Sequence, residues 1–180
     1  VLYLSFDDGP HPEATPFVLE QLAKFDAKAS FFCIGKNVQL FPEIYGEIIA
    51  AGHVVGNHTQ NHMNGWKNTT EKYIANIEEA TKWIDSNLFR PPYGRISFSQ
   101  IKALRLDPSL PQDIMMWDVL SGDFDTTITG EQCANNVIQH TGPGSIVVFH
   151  DSAKALDRLR IALPKVLAHF SKLGYQFKVL

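Results

Sequence analysis

Cysteine is scarce in this chain of 180 residues. Cys33 and Cys133 are the only two, so no disulfide framework carries the fold. Cys33 sits in an apolar run and reads as a buried thiol rather than half of a bridge. Strong charge of either sign is also missing. Sixteen Lys and Arg against nineteen Asp and Glu leave a formal net charge of −3. With no basic run or stripe, a nucleic-acid surface is not expected. No apolar stretch reaches membrane-spanning length. No signal peptide is visible, but the chain starts inside its first strand, so an upstream segment is expected to have been removed. Internal repeats, low-complexity tracts and linkers are absent. So is a G-x-S-x-G elbow, which argues against a serine hydrolase.

What is present is an ordinary globular composition, 44% apolar and 19% charged, enough for one domain with a sizeable core. Strands are read at 1–6, 29–34, 54–55, 113–119, 145–149 and 175–180, several of them almost wholly apolar. Helices are read at about 16–25, with Thr15 as cap and Pro16 at its first position, and at 42–51, 70–86 and 98–106. Residues 35–37, 87–95 and 121–127 read as loops. A capping box at Thr129 and Gln132 opens a further helix to about 139. Helical segments at 156–162 and 165–173 are separated by an expected break at Pro164. The alternation describes one α/β domain with helices covering a parallel sheet.

The residues able to carry chemistry fall at or just beyond strand ends, where α/β folds build their sites. The first strand runs into Asp7 and Asp8, then Gly9-Pro10. Neighbouring side chains at a strand end point apart, so one carboxylate can hold a metal while the other faces a substrate. Spacing does not separate the two; we take Asp8 as ligand and Asp7 as base. His58 and His62, four apart, would face one point on a helical turn. With a carboxylate they complete a three-ligand site with an open position, suited to zinc and other borderline metals. Such a set also describes non-haem iron, but a spare aspartate and a late histidine favour hydrolysis. Arg90, stiffened by Pro91-Pro92, is placed to pair with the base and keep it ionised. A Tyr93 main-chain N–H is suited to a developing oxyanion. His150 reads as a general acid and Asp123 as its partner. Trp117, Phe124 and Val148 are candidates for an acyl pocket.

Five stretches, SFDDGP at 5–10, HTQNH at 58–62, RPPYG at 90–94, WDVLSGDF at 117–124 and IVVFHD at 146–151, occur in the order of the polysaccharide deacetylase family. This is the NodB-homology group, carbohydrate esterase family 4, and the chain resembles it over nearly its whole length. The resemblance implies a distorted (β/α) barrel of about seven parallel strands. It implies metal-dependent removal of N-acetyl groups from N-acetylglucosamine units in chitin, its oligomers or peptidoglycan. Asp7 would be the base, and Asp8, His58 and His62 the ligands of Zn2+, or of another divalent metal such as Co2+. Arg90 would tune the base, Tyr93 would donate to the oxyanion, and His150 would be the acid paired with Asp123. The expected partner is a carbohydrate polymer or oligomer, the expected state a monomer, and the expected place secreted, periplasmic or cell-envelope. In some members a proline matching Pro92 or its neighbour is hydroxylated at Cα. Leu120 stands where the family usually has aspartate, Phe124 where it has tryptophan, and Val148 where it has leucine. The altered fourth motif motivates one rival reading, a carbohydrate-binding domain without turnover; another, implied by relatives that remove acetyl esters from xylan, is an O-acetyl esterase on such a polymer. A third rival, from the family's distant relatives, is hydrolysis of a small amide or imide.

Overall fold

A computed structural model describes residues 1–180. Its centre is a seven-stranded sheet in which every named pair is parallel. The strands are β1 (Tyr3–Asp7), β2 (Ala29–Cys33), β3 (Val54–Asn57), β4 (Leu88–Phe89), β5 (Asp113–Ile114), β6 (Val119–Leu120) and β7 (Ile146–His150). Their order is β5-β4-β3-β2-β1-β7-β6. The central strands β1 and β2 are nearly uniform in burial, as their unbroken apolar runs require when helices cover the sheet.

The sheet has to curl. β5 and β6 are its two edges, yet only Met115 to Asp118 separate them in sequence. Seven flat strands about 4.8 Å apart would put the edges roughly 29 Å from each other. The chain from Ile114 to Val119 reaches at most about 18 Å. The result is a half-barrel with a seam at residues 115–118. One strand was expected over 113–119; the seam splits it into two edge strands.

Helices α1 (Ala14–Lys24), α2 (Gly35–Leu40), α3 (Pro42–Ala50), α4 (Thr70–Thr81), α5 (Phe98–Leu106), α6 (Gly130–His140) and α7 (Leu156–Lys172) surround the sheet. Side chains from β1, β2, β7, α1, α6 and α7 form the main core, with Phe6 stacked between Phe31 and Phe149. A smaller cluster of Tyr73, Ile77, Phe89, Leu104 and Leu110 sits under α4 and α5. Both cysteines are buried and free.

Several local expectations change. Thr15 does not cap α1: His11 Nδ1 accepts from the Glu13 and Ala14 N–H groups, while Thr15 Oγ1 donates to Asp151. Residues 35–40 form α2 rather than a loop, because Thr59 and Gln60 carbonyls accept the first N–H groups of that turn. The helix expected to reach 86 stops at Thr81. Lys82 and Trp83 bond three residues back, and Ile84 still lands in the core. Pro164 does not break α7, whose Leu163, Val166, Leu167 and Phe170 remain packed in the core. In place of a final strand there is one bridge, between Leu2 and Phe177. The box at Thr129 and Gln132 forms as read, and a second at Ser97 and Gln100 opens α5.

Candidate active site

The parallel sheet delivers its strand ends to one side, and a cleft of about 1120 Å³ opens there. Asp7, Asp8, His58, His62, Tyr93 and His150 all line it. β1 and β7 pair so that Asp7 is level with His150, and Asp7 is equally level with Phe32 of β2.

The two adjacent carboxylates have different surroundings. Asp7 is buried, and its Oδ1 accepts from Arg90 Nη1 at 2.7 Å. Arg90 has no exposed surface and fills the barrel interior. It also donates to Ser5 Oγ at 2.8 Å and to the seam carbonyls of Met115 and Met116 at 3.0 and 3.3 Å. Its guanidinium lies 4.0 Å from the Phe32 ring centroid. One side chain therefore closes the seam and holds Asp7, leaving Oδ2 toward His58 Nε2 at 4.0 Å. Such a buried pair is held by geometry and extra hydrogen bonds rather than by charge alone.

Asp8 follows in a left-handed conformation, φ 81°. Its Oδ1 lies 3.1 Å from His62 Nε2 and 3.6 Å from His58 Nε2. Ligand atoms of these three residues are within 4.8 Å of one another. His62 is out of hydrogen-bonding alignment, so Oδ1 is buried without a donor. Burial alone would raise the Asp8 pKa, but contact with His62 and the charges of His58 and His150 bring it down to about 2. His58 is fully enclosed, and burial lowers its pKa, so the neutral ring is favoured. Its Nδ1 is 2.7 Å from the Arg90 carbonyl. That bond assigns the proton to Nδ1 and leaves the Nε2 lone pair for a metal. An unclaimed carboxylate oxygen beside two imidazole nitrogens fits a divalent cation.

The histidines do not converge on a helical turn as expected. Thr59 and His62 have φ of 65° and 54°, and the loop after β3 folds back so that the rings are 5.1 Å apart. Thr59 N–H and Met63 N–H bond to the side chains of Asn57 and Thr59, which holds the loop. Tyr93 is also left-handed, φ 60°. Its main-chain N–H has no partner within the protein. Its hydroxyl reaches His62 Nδ1 at 3.1 Å, a contact that residue type and spacing did not reveal.

On the other wall His150 Nδ1 lies 2.7 Å from Asp123 Oδ1, while the His150 N–H donates to Oδ2 at 2.8 Å. Asp123 is wholly buried. Burial opposes charge on His150, but the bond to Asp123 and its charge win, aided by Asp7 and Asp8, and the pKa rises to about 9. Phe124 packs edge-on to His150, centroids 5.2 Å apart. Trp117, Leu120, Phe124 and Val148 supply apolar lining. Away from the centre, the remaining Lys and Arg residues of the lining are Lys67, Arg95 and Lys154. Arg95 lies over the Trp66 ring at 4.3 Å, and Trp66 is exposed.

No helix is long and apolar enough to cross a membrane. Residues 1–106 match the family model described as polysaccharide deacetylase. A Bacillus cereus protein named peptidoglycan-N-acetylglucosamine deacetylase is 33% identical, covering 98% of this chain and 84% of its own length. An Azorhizobium caulinodans protein named chitooligosaccharide deacetylase is 32% identical over 83% of this chain and 73% of its own. The crystal structure of the Bc1960 peptidoglycan N-acetylglucosamine deacetylase superposes with TM-score 0.90 at 31% identity, covering 99% of this chain and 85% of that one. The five motifs, the half-barrel and the His-His-Asp triad thus have one common source: the chain belongs to the polysaccharide deacetylase family.

Proposed function

We propose that this chain is a metal-dependent hydrolase that removes N-acetyl groups from N-acetylglucosamine units of a cell-wall glycan. The observation that carries the reading is one cleft holding the Asp8–His58–His62 triad between an Arg90-held Asp7 and an Asp123-held His150. Asp8, His58 and His62 would hold a zinc ion, which supplies Lewis acidity and lowers the pKa of water.

The chain's own residues do the rest. Asp7 uses Oδ2 to take the proton of the attacking water, since Oδ1 is committed to Arg90. The free Tyr93 N–H donates to the carbonyl oxygen as it becomes an oxyanion. His150, with Nδ1–H held by Asp123, delivers the Nε2 proton to the departing amine. The apolar wall of Trp117, Leu120 and Val148 receives the acetyl methyl.

Among substrates, the rim favours peptidoglycan over neutral chitin. Lys67 and Arg95 on one wall and Lys154 on the other lack ion-pair partners. Positive rims attract a glycan that carries carboxylates. The test is to offer zinc-loaded protein peptidoglycan fragments, N-acetylated chito-oligomers and acetylated xylan, and to identify products by mass spectrometry. Loss of acetyl from amino sugars, greatest on peptidoglycan, is expected. Turnover of xylan alone would make the chain an O-acetyl esterase. No acetate from any of the three, with metal bound, would overturn the deacetylase reading.

A further inference from the structure

Asp151 is a wholly buried carboxyl that the proposed chemistry does not use. It follows His150 directly, where β7 ends, and no Lys, Arg or His pairs with it. A buried carboxyl without a cation is costly, so its contacts show what keeps it there. Its N–H donates to the Asp7 carbonyl at 3.1 Å. Its Oδ1 accepts from the Gly9 N–H at 3.1 Å, and its Oδ2 from Thr15 Oγ1 at 2.5 Å. The first two bonds land on the residues immediately before and after Asp8. Asp8 itself is held through its own main chain, N–H to the Phe32 carbonyl at 3.3 Å and C=O from Asn37 Nδ2 at 2.7 Å. The close approach leaves no room for a side chain at position 9: a Cβ on Gly9 would fall 2.0 Å from Asp151 Oδ2.

We propose that Asp151 is a positioning residue for the metal site: it clamps the Asp7–Gly9 turn from both sides so that Asp8, in its left-handed conformation, presents Oδ1 to His58 and His62. The same residue ties that turn to the strand carrying His150, so ligand and acid keep a common reference. The proposal rests on the reading of Asp8 as a metal ligand. Outer groups that orient a metal ligand affect metal affinity by about 10- to 100-fold, which sets the size of the effect.

Asp151→Leu keeps the shape and removes both acceptors. Asp151→Asn keeps one acceptor for the Gly9 N–H. Zinc affinity is read by competition with a chromophoric chelator on metal-free protein, with thermal unfolding of the same samples. Wild type binding no zinc would defeat the metal reading itself, separately from this proposal. With wild type binding, D151L should lose about tenfold or more in affinity. D151N should stay within about threefold of wild type. A role in folding alone would move the unfolding midpoint and leave affinity unchanged. Wild-type affinity in D151L would overturn the clamp. So would a loss of about tenfold or more in D151N, an outcome read on D151N alone where D151L does not fold.

Discussion

Asp123→Asn exchanges one oxygen for an amide nitrogen and removes the charge that faces His150. Both groups are enclosed, His150 with 14% of its side chain exposed and Asp123 with none. Burial alone would push the ring below its ordinary 6.5; the bond to Asp123 and its charge, with Asp7 and Asp8, carry it to about 9. At about 1.4 kcal/mol per pKa unit, the net shift corresponds to about 3 kcal/mol of stability in the metal-free protein. The folded pKa lies above the unfolded one. The stabilisation is therefore complete below about pH 6.5 and disappears as pH rises through about 9. Urea unfolding of metal-free D123N should give a deficit of about 3 kcal/mol near pH 6, closing toward pH 9.5. The His150 ring resonances should titrate near 9 in wild type and at clearly lower pH in D123N. On the proposed mechanism His150 holds its proton when the amine leaves, so the alkaline limb of kcat/KM should move to lower pH in D123N. A stability gap that is flat with pH, together with unchanged ring titration, would refute the argument that Asp123 keeps this imidazole charged.

Other perturbations separate the remaining parts. His58→Ala leaves two ligands and should lose most bound zinc on dialysis; one equivalent retained by metal analysis would remove His58 from the site. Asp7→Asn should keep zinc and lose about 100-fold or more in turnover, whereas Asp8→Asn should lose zinc; equal metal loss in both would show the pair is divided wrongly. Arg90→Met leaves the Asp7 carboxylate buried and unpaired and opens the seam, at a cost of about 3–5 kcal/mol by urea unfolding. A change below about 1 kcal/mol would mean that water or another donor replaces the guanidinium.

The long strands were legible because β1, β2 and β7 are buried on both faces and read as continuous apolar runs. α6 was legible by its capping box; the span of α5 was read without the box at Ser97 and Gln100 that opens it. β4, β5 and β6 have two residues each, too few for any period to show. The site was legible as residue types placed after strands, and the five motifs tied those types to a family. The pairs Arg90–Asp7 and His150–Asp123 were expected and form, but other partners were not legible. Nothing in the sequence says that Thr15 bonds Asp151 rather than capping α1, or that the Tyr93 hydroxyl meets His62.

The division has a physical reason. Periodicity, caps and turn residues act over a few neighbouring positions, so the sequence by itself determined the parallel α/β pattern and the strand-end places of Asp7, Asp8, His58 and His150. Which carboxylate does what depends on contacts between residues far apart in the chain. Arg90 reaches back 83 positions to claim Asp7, and Asp151 reaches back 142 to hold Gly9. Those separations are bridged only when the sheet curls and its edges meet at residues 115–118. Only the tertiary structure could decide that Asp7 is held by a cation while its neighbour keeps an oxygen free beside two imidazoles.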